Sequence, residues 1–164
     1  MQAILMNLAN LLRLRSGPQD FSSSWRLTIV LVAAYLLQNL VTGQQLQDDS
    51  ATEKSLVAMA LQVFVLAGLL SWQRHMERFA QTLSALAGVG IVFNMIIWGL
   101  LSQSGPLQDQ PSLVMLWFAV FVWSLFVDAN IYRHALSVSL SVGMLITVLI
   151  LAASYALIKM LFLG

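Results

Sequence analysis

Five long apolar runs separated by short polar turns constrain this chain more than any other feature. They fall at about 25–42, 55–72, 79–101, 113–130 and 135–159. A helix needs about 20 mostly apolar residues to cross the hydrocarbon core of a bilayer, within a range near 17–25. All five runs reach that length, the fourth by taking in Asp128, Ala129 and Asn130. Inside lipid only helices and closed barrels satisfy their own backbone hydrogen bonds, and continuous apolar runs of this length read as helices. The expected fold is therefore all-α, a polytopic membrane helix bundle of about five transmembrane helices occupying residues 25–164. Short gaps between the second and third runs, and between the fourth and fifth, predict two tight antiparallel hairpins.

Composition agrees with lipid as the main solvent. Of 164 residues, 59% are hydrophobic and only 9% are charged, giving a mean hydropathy of +0.82. Soluble domains carry about 25% charged residues to keep a solvated shell, so the lipid bilayer is the first expected partner. A net charge of +1 offers no basic stripe for nucleic acid, which is not expected as a partner. The absence of cysteine removes disulfides, thiolate metal sites and cysteine nucleophiles.

Residues 1–24 read as a cytoplasmic interfacial helix and linker. Met1 to Leu14 lacks the basic start and small-residue cleavage site of a secretory signal, so the segment is expected to be retained. Ile4, Leu5, Leu8, Leu11 and Leu12 recur at helical spacing, with Asn7, Asn10 and Arg13 on another face. Such an amphipathic helix fits the membrane interface, with Arg13 and Arg15 near anionic headgroups; packing against its own bundle is the alternative. Ser16-Gly17-Pro18 ends it.

The arginines set the orientation. Arg13, Arg15 and Arg26 precede the first span, Arg74 and Arg78 separate the second from the third, and Arg133 separates the fourth from the fifth. The opposite side receives Lys54 and Lys159, an acidic loop with Asp48, Asp49 and Glu53, and a loop at 102–112 without a basic residue. The positive-inside rule predicts the N-terminus in the cytoplasm and the C-terminus outside.

Small residues mark two packing faces. Ser84 and Gly88 are four apart, as are Ser139 and Gly143, a spacing that lets helix backbones approach closely. Setting Arg78 level with Arg133 also aligns Ala80 with Ala135 and Thr82 with Ser137, the trace of a parallel repeat. Within the spans, Gln62 and Asn94 form a possible intramembrane pair, because an amide in hydrocarbon needs a partner. Gln38 and Asn39 fall near the outer end of the first span, where the interface hydrates them.

A polar cluster is expected at the cytoplasmic turns. One turn carries Arg74, His75, Glu77 and Arg78; the other carries Asp128, Arg133 and His134. An interfacial ion-pair network accounts for these groups. A proton, metal or ligand site is the sharper alternative, since two histidines and two carboxylates suffice for a divalent metal. The histidines lie in different turns with no His-Glu-x-x-His spacing, so no metal ligand is assigned. No Gly-x-Ser-x-Gly, phosphate-cradling loop or Ser-x-x-Lys occurs, and neither a catalytic residue nor a cofactor is expected.

With an N-terminal segment, five closely spaced spans and the opening Leu11-Leu12-Arg13-Leu14-Arg15-Ser16-Gly17-Pro18-Gln19-Asp20-Phe21, the chain resembles the Yip (Ypt-interacting protein) superfamily and small proteobacterial inner-membrane proteins. That resemblance implies a trafficking or assembly helper among eukaryotic members, an unknown role in bacteria and a bacterial inner (cytoplasmic) membrane location here, and it carries over no functional residue. The absence of catalytic motifs and of large extramembrane domains makes a non-enzymatic subunit, scaffold or assembly factor, meeting a partner membrane protein or a second copy of itself, the expected function; a small transporter or lipid-handling protein is the alternative, and an intramembrane enzyme using His75 and His134 the third. A reporter fused after Gly164 is expected to read outside and reporters within Gln73–Arg78 inside. A cytoplasmic C-terminal reporter refutes the five-span topology.

Overall fold

The structure, a computed structural model, describes residues 2–45, 50–101 and 111–162. It is all-helical among these residues: α1 (Gln2–Leu12), α2 (Trp25–Gln45), α3 (Ala51–Trp72), α4 (Phe79–Leu101), α5 (Pro111–Leu136) and α6 (Leu140–Phe162), with 3-10 turns at Pro18–Asp20 and Met76–Arg78. Five helices, α2 to α6, are long and apolar enough to cross a membrane, which fits a multi-pass bundle. The residues Asp48 and Asp49, the connection 102–110 and Gly164 lie outside the described residues.

The start of α2, the end of α3, the start of α4, the end of α5 and the start of α6 share one end of the bundle, which carries Arg26, Arg74, Arg78 and Arg133. This is the basic end. The middle span, ending in α4, is the most enclosed, with 44% of its residues buried against 11–22% in the others. Residues 82–89 are buried without interruption, so α4 is covered on every side.

Its main neighbour is α2, which runs parallel to it. The ring of Trp25 meets Phe79 at 5.8 Å, the Thr28 and Ser84 hydroxyls are 2.8 Å apart, and Asn94 Nδ2 donates to Asn39 Oδ1 at 3.2 Å. The pairs keep a constant offset along both helices, as aligned parallel helices require. Gly90 belongs to the same seam: a Cβ there would meet the Tyr35 ring at 2.6 Å. The expected α3–α4 hairpin is therefore a short covalent turn rather than the main packing pair, because the small face of α4 is taken by α2. The α5–α6 hairpin does pack as a pair, at Gly143, where an added Cβ would overlap the backbone carbonyl of Ala129.

Gly88 faces α1 instead. A Cβ on Gly88 would lie 2.8 Å from Leu8 Cδ2, Leu11 is wholly buried, and Trp123 Nε1 donates to the Leu12 carbonyl at 3.0 Å. Of the two placements open to the N-terminal helix, the structure gives packing against its own bundle, at the height of Gly88 in the middle of α4. Ser84 is buried against Thr28, whereas Ser139 is exposed ahead of α6, its hydroxyl accepting from Val142 N–H at 3.4 Å. The two serine–glycine pairs thus occupy different surroundings. The repeat register fares likewise: Arg78 precedes α4, but Arg133 lies within α5.

Three helices end on the same device. Leu14, Arg74 and Ser137 adopt left-handed φ values of 58°, 59° and 54°, and Arg15 N–H, His75 N–H and Val138 N–H donate back to the carbonyls of Asn10, Leu70 and Arg133. This is the Schellman stop that glycine usually makes. It is built here without glycine.

Two outcomes follow from this packing. Gly143→Ala should cost about 1–3 kcal/mol because backbone cannot move aside, while Gly88→Ala should cost less because the end of Leu8 can turn away. Equal thermal unfolding shifts for the two variants would contradict the backbone contact. Leu14→Gly should raise stability by about 1 kcal/mol by relieving the left-handed penalty, measured by reversible unfolding in detergent.

Candidate polar site within the bundle

Four helices carry polar residues to one layer. At 1.5 Å per residue, Tyr35 lies about 15 Å above Trp25, Gln62 about 15 Å above Trp72, Asn94 about 22 Å above Phe79 and Asp128 about 12 Å above Leu136. In a hydrocarbon core about 30 Å thick this layer is interior.

Two cavities meet there. The first, about 180 Å³, is lined by Tyr35 of α2, Gln62 of α3, Asn94 of α4, and Ser124 and Asp128 of α5. The second, also about 180 Å³, lies toward α6 and is lined by Gln62, Asp128, Tyr132, Thr147 and Ser154 among apolar neighbours. Gln62 and Asp128 line both cavities. Each has room for several waters at about 30 Å³ apiece.

Most polar groups around these cavities have partners. Gln62 Nε2 donates to Tyr132 Oη at 3.3 Å, and the tyrosine is only 1% exposed. Thr147 Oγ1 bonds the Gly143 carbonyl at 3.0 Å. Asn94 bonds Asn39. The expected Gln62–Asn94 pair does not form, because each amide finds a nearer group on a different helix, yet both line the first cavity.

Asp128 is the exception. It is half-buried, and among the described residues its carboxyl makes neither a hydrogen bond nor an ion pair. The expected cluster at the turns therefore divides. At the basic end His75 Nδ1 is 3.2 Å from Glu77 Oε1, and Arg78 Nε is 4.0 Å from the same oxygen. Arg78 Nη1 donates to the His134 and Ala135 carbonyls and to Ser137 Oγ at 3.3, 3.2 and 3.0 Å, tying the two turns together. Arg133 is exposed and Arg74 serves the end of α3. Asp128 leaves this group because α5 continues to Leu136, raising residue 128 into the bundle. No group of three or more His, Cys, Asp or Glu residues capable of holding a metal occurs among the described residues.

The sequence reading missed Tyr35, Ser124, Tyr132 and Thr147, and left Asn39 at the hydrated interface. Since α2 extends to Gln45, Asn39 sits well inside the helix and reaches Asn94. A signal was present in part: Tyr35 and Asn39 are four apart on one helical face, as are Asp128 and Tyr132.

What this arrangement offers chemically is one carboxyl group among neutral oxygens and amides. An ionised carboxylate in a water-poor interior is costly unless it is paired, and it is relieved by taking a proton or a cation. No family model matches the chain, and neither does any curated protein or solved structure.

Proposed function

We propose that this chain is a small transporter of the bacterial inner membrane, in which Asp128 takes up and releases a proton or a monovalent cation. The observation that carries the reading is the carboxyl of Asp128, without a cationic partner among the described residues and bordering two cavities at once. A single carboxylate balances a single positive charge. A divalent ion would leave an uncompensated charge in a medium where each is expensive, and the neighbours Tyr35, Gln62, Asn94 and Ser124 supply oxygen atoms but no second charge. Ionisable groups inside spans mark ion and proton routes for this reason. The arginine-bearing end faces the cytoplasm in this proposal, following the positive-inside rule.

A second reading, a non-enzymatic subunit or assembly factor, draws on a separate feature. The outer side of α2 and α4 forms an apolar groove of about 550 Å³ lined by Leu37, Val41, Met95 and Trp98, and by Gln38, whose Oε1 is buried without a partner among the described residues. A transmembrane helix of a partner protein or of a second copy would fill the groove and supply a donor.

The two readings part at Asp128. In lipid vesicles holding the purified protein, dicyclohexylcarbodiimide should label Asp128, since it attacks protonated carboxyls in apolar surroundings. Labelling should fall as pH rises, and also on adding sodium if the cation is a metal ion. Asp128→Asn should insert normally, lose labelling and cation flux, and be more stable by about 1–3 kcal/mol, because an amide carries no charge to desolvate. An Asp128 that stays unlabelled at every pH, or an Asn variant that unfolds more readily, would assign the carboxylate a structural role.

A further inference from the structure

At the basic end, apart from the Asp128 cavities, the chain builds a second polar cavity of about 400 Å³ lined by Gln19, Arg78, Arg133, His134, Ser137 and Val138. Its lining holds two guanidiniums and a histidine and no carboxylate. We propose that it is a binding site for a phosphate group, presented by an anionic lipid headgroup or by a free phosphate ion.

The site is assembled from three separate segments held in place. Gln19 comes from the 3-10 turn after α1, Arg78 from the head of α4, and the rest from the end of α5 and the turn that follows. The N-terminal segment is anchored by Asn130 Nδ2 donating to the Ser16 carbonyl at 3.0 Å and by Gln81 Nε2 donating to the Phe21 carbonyl at 3.0 Å. Gly17 permits the close approach. A Cβ there would lie 2.8 Å from His134 Cγ and 2.5 Å from Gln19 Oε1.

The donors are only partly used. Arg78 spends Nη1 on the last carbonyls of α5 and on Ser137, which neutralises the negative end of that helix dipole and leaves Nη2 free of those bonds. Glu77, at 4.0 Å from Arg78 Nε, is exposed and does not line the cavity. Arg133 is exposed and makes no ion pair among the described residues. His134 Nδ1 lies 2.8 Å from the Asn130 carbonyl and donates to it, which fixes the ring at the cavity wall and leaves the guanidiniums as the donors to a phosphate. Two arginines present planar donor forks that match the oxygens of a phosphate, and basic pockets between spans at one membrane face hold lipid headgroups in this way. The volume falls in the range of small-ligand sites.

The test compares the purified protein in mild detergent with added phosphatidylglycerol, phosphatidylcholine or inorganic phosphate, read by native mass spectrometry and thermal unfolding. Phosphatidylglycerol should bind and raise the unfolding temperature well above phosphatidylcholine. Arg133→Gln, a change at an exposed side chain, should weaken that binding about tenfold or more. Arg26→Gln, an exposed arginine at the same end but outside the cavity, should leave it unchanged. Stabilisation by inorganic phosphate, lost in Arg133→Gln, assigns the site to a free ion; stabilisation by phosphatidylglycerol alone assigns it to the lipid. Equal losses in Arg133→Gln and Arg26→Gln, or no preference among the three additives, would overturn the proposal by reducing the effect to general surface charge. Arg78→Gln also removes the α5 cap, so Gln19→Ala serves as the second variant and should weaken binding without unfolding the chain.

Discussion

The contact of Gly143 with the Ala129 carbonyl is the constraint from which the interior of the bundle follows. With no side chain between them, α5 and α6 approach backbone to backbone, and this fixes the rotation of α5 about its axis at the position next to Asp128. Once that rotation is set, Asp128 is directed to the cavities beside α3 rather than to lipid. Tyr132, one helical turn further on, then stands where Gln62 can reach its hydroxyl. A larger residue at 143 would push the helices apart, and the carboxyl would lose the neutral neighbours that now surround it.

The α2–α4 seam uses the same small-residue logic but ends in a different chemistry. Thr28 with Ser84 and Asn39 with Asn94 are neutral donors and acceptors that satisfy each other across parallel helices. Such bonds average about 0.6 kcal/mol in measured cases, so their main effect is to select register rather than to hold the bundle together. Tyr35 packs against Gly90 between these two pairs and forms one wall of the first cavity. On the side of the first cavity these pairs face an acid that has no such partner among the described residues.

Much of the architecture was legible in the sequence. The five spans follow from hydropathy and length, because lipid leaves an apolar helix few alternatives. Helix ends were less legible. The fourth span was expected to stop at 130, but α5 continues to Leu136, since its stop is a left-handed Ser137 and not a glycine or proline. That displacement of six residues is about 9 Å of helix, enough to move Asp128 from the interface to the interior. The partners of Gln62 and Asn94 were illegible for another reason: amides were correctly expected to need partners, but periodicity along one helix does not reveal which neighbour it meets. Gly143, expected on a small face, lies against the Ala129 backbone, and Gly88 lies against Leu8 of the N-terminal helix, which the amphipathic pattern also allowed at the interface.

The two cavities together account for why the acid belongs on α5 and not elsewhere. Gln62 and Asp128 line both, so these two residues border the space on the α2–α4 side and the space on the α6 side. Gln62 is engaged with Tyr132 through its amide nitrogen, which leaves its carbonyl oxygen as an acceptor beside the carboxyl. A neutral residue at 128 would make the chamber more stable and leave it without a charge to exchange. Proteins retain a destabilising buried charge where a function depends on it. With no arginine or lysine bonded to it among the described residues, Asp128 has no charge of the described chain to balance it, and in the proposed function that balance comes from a proton or cation taken up there.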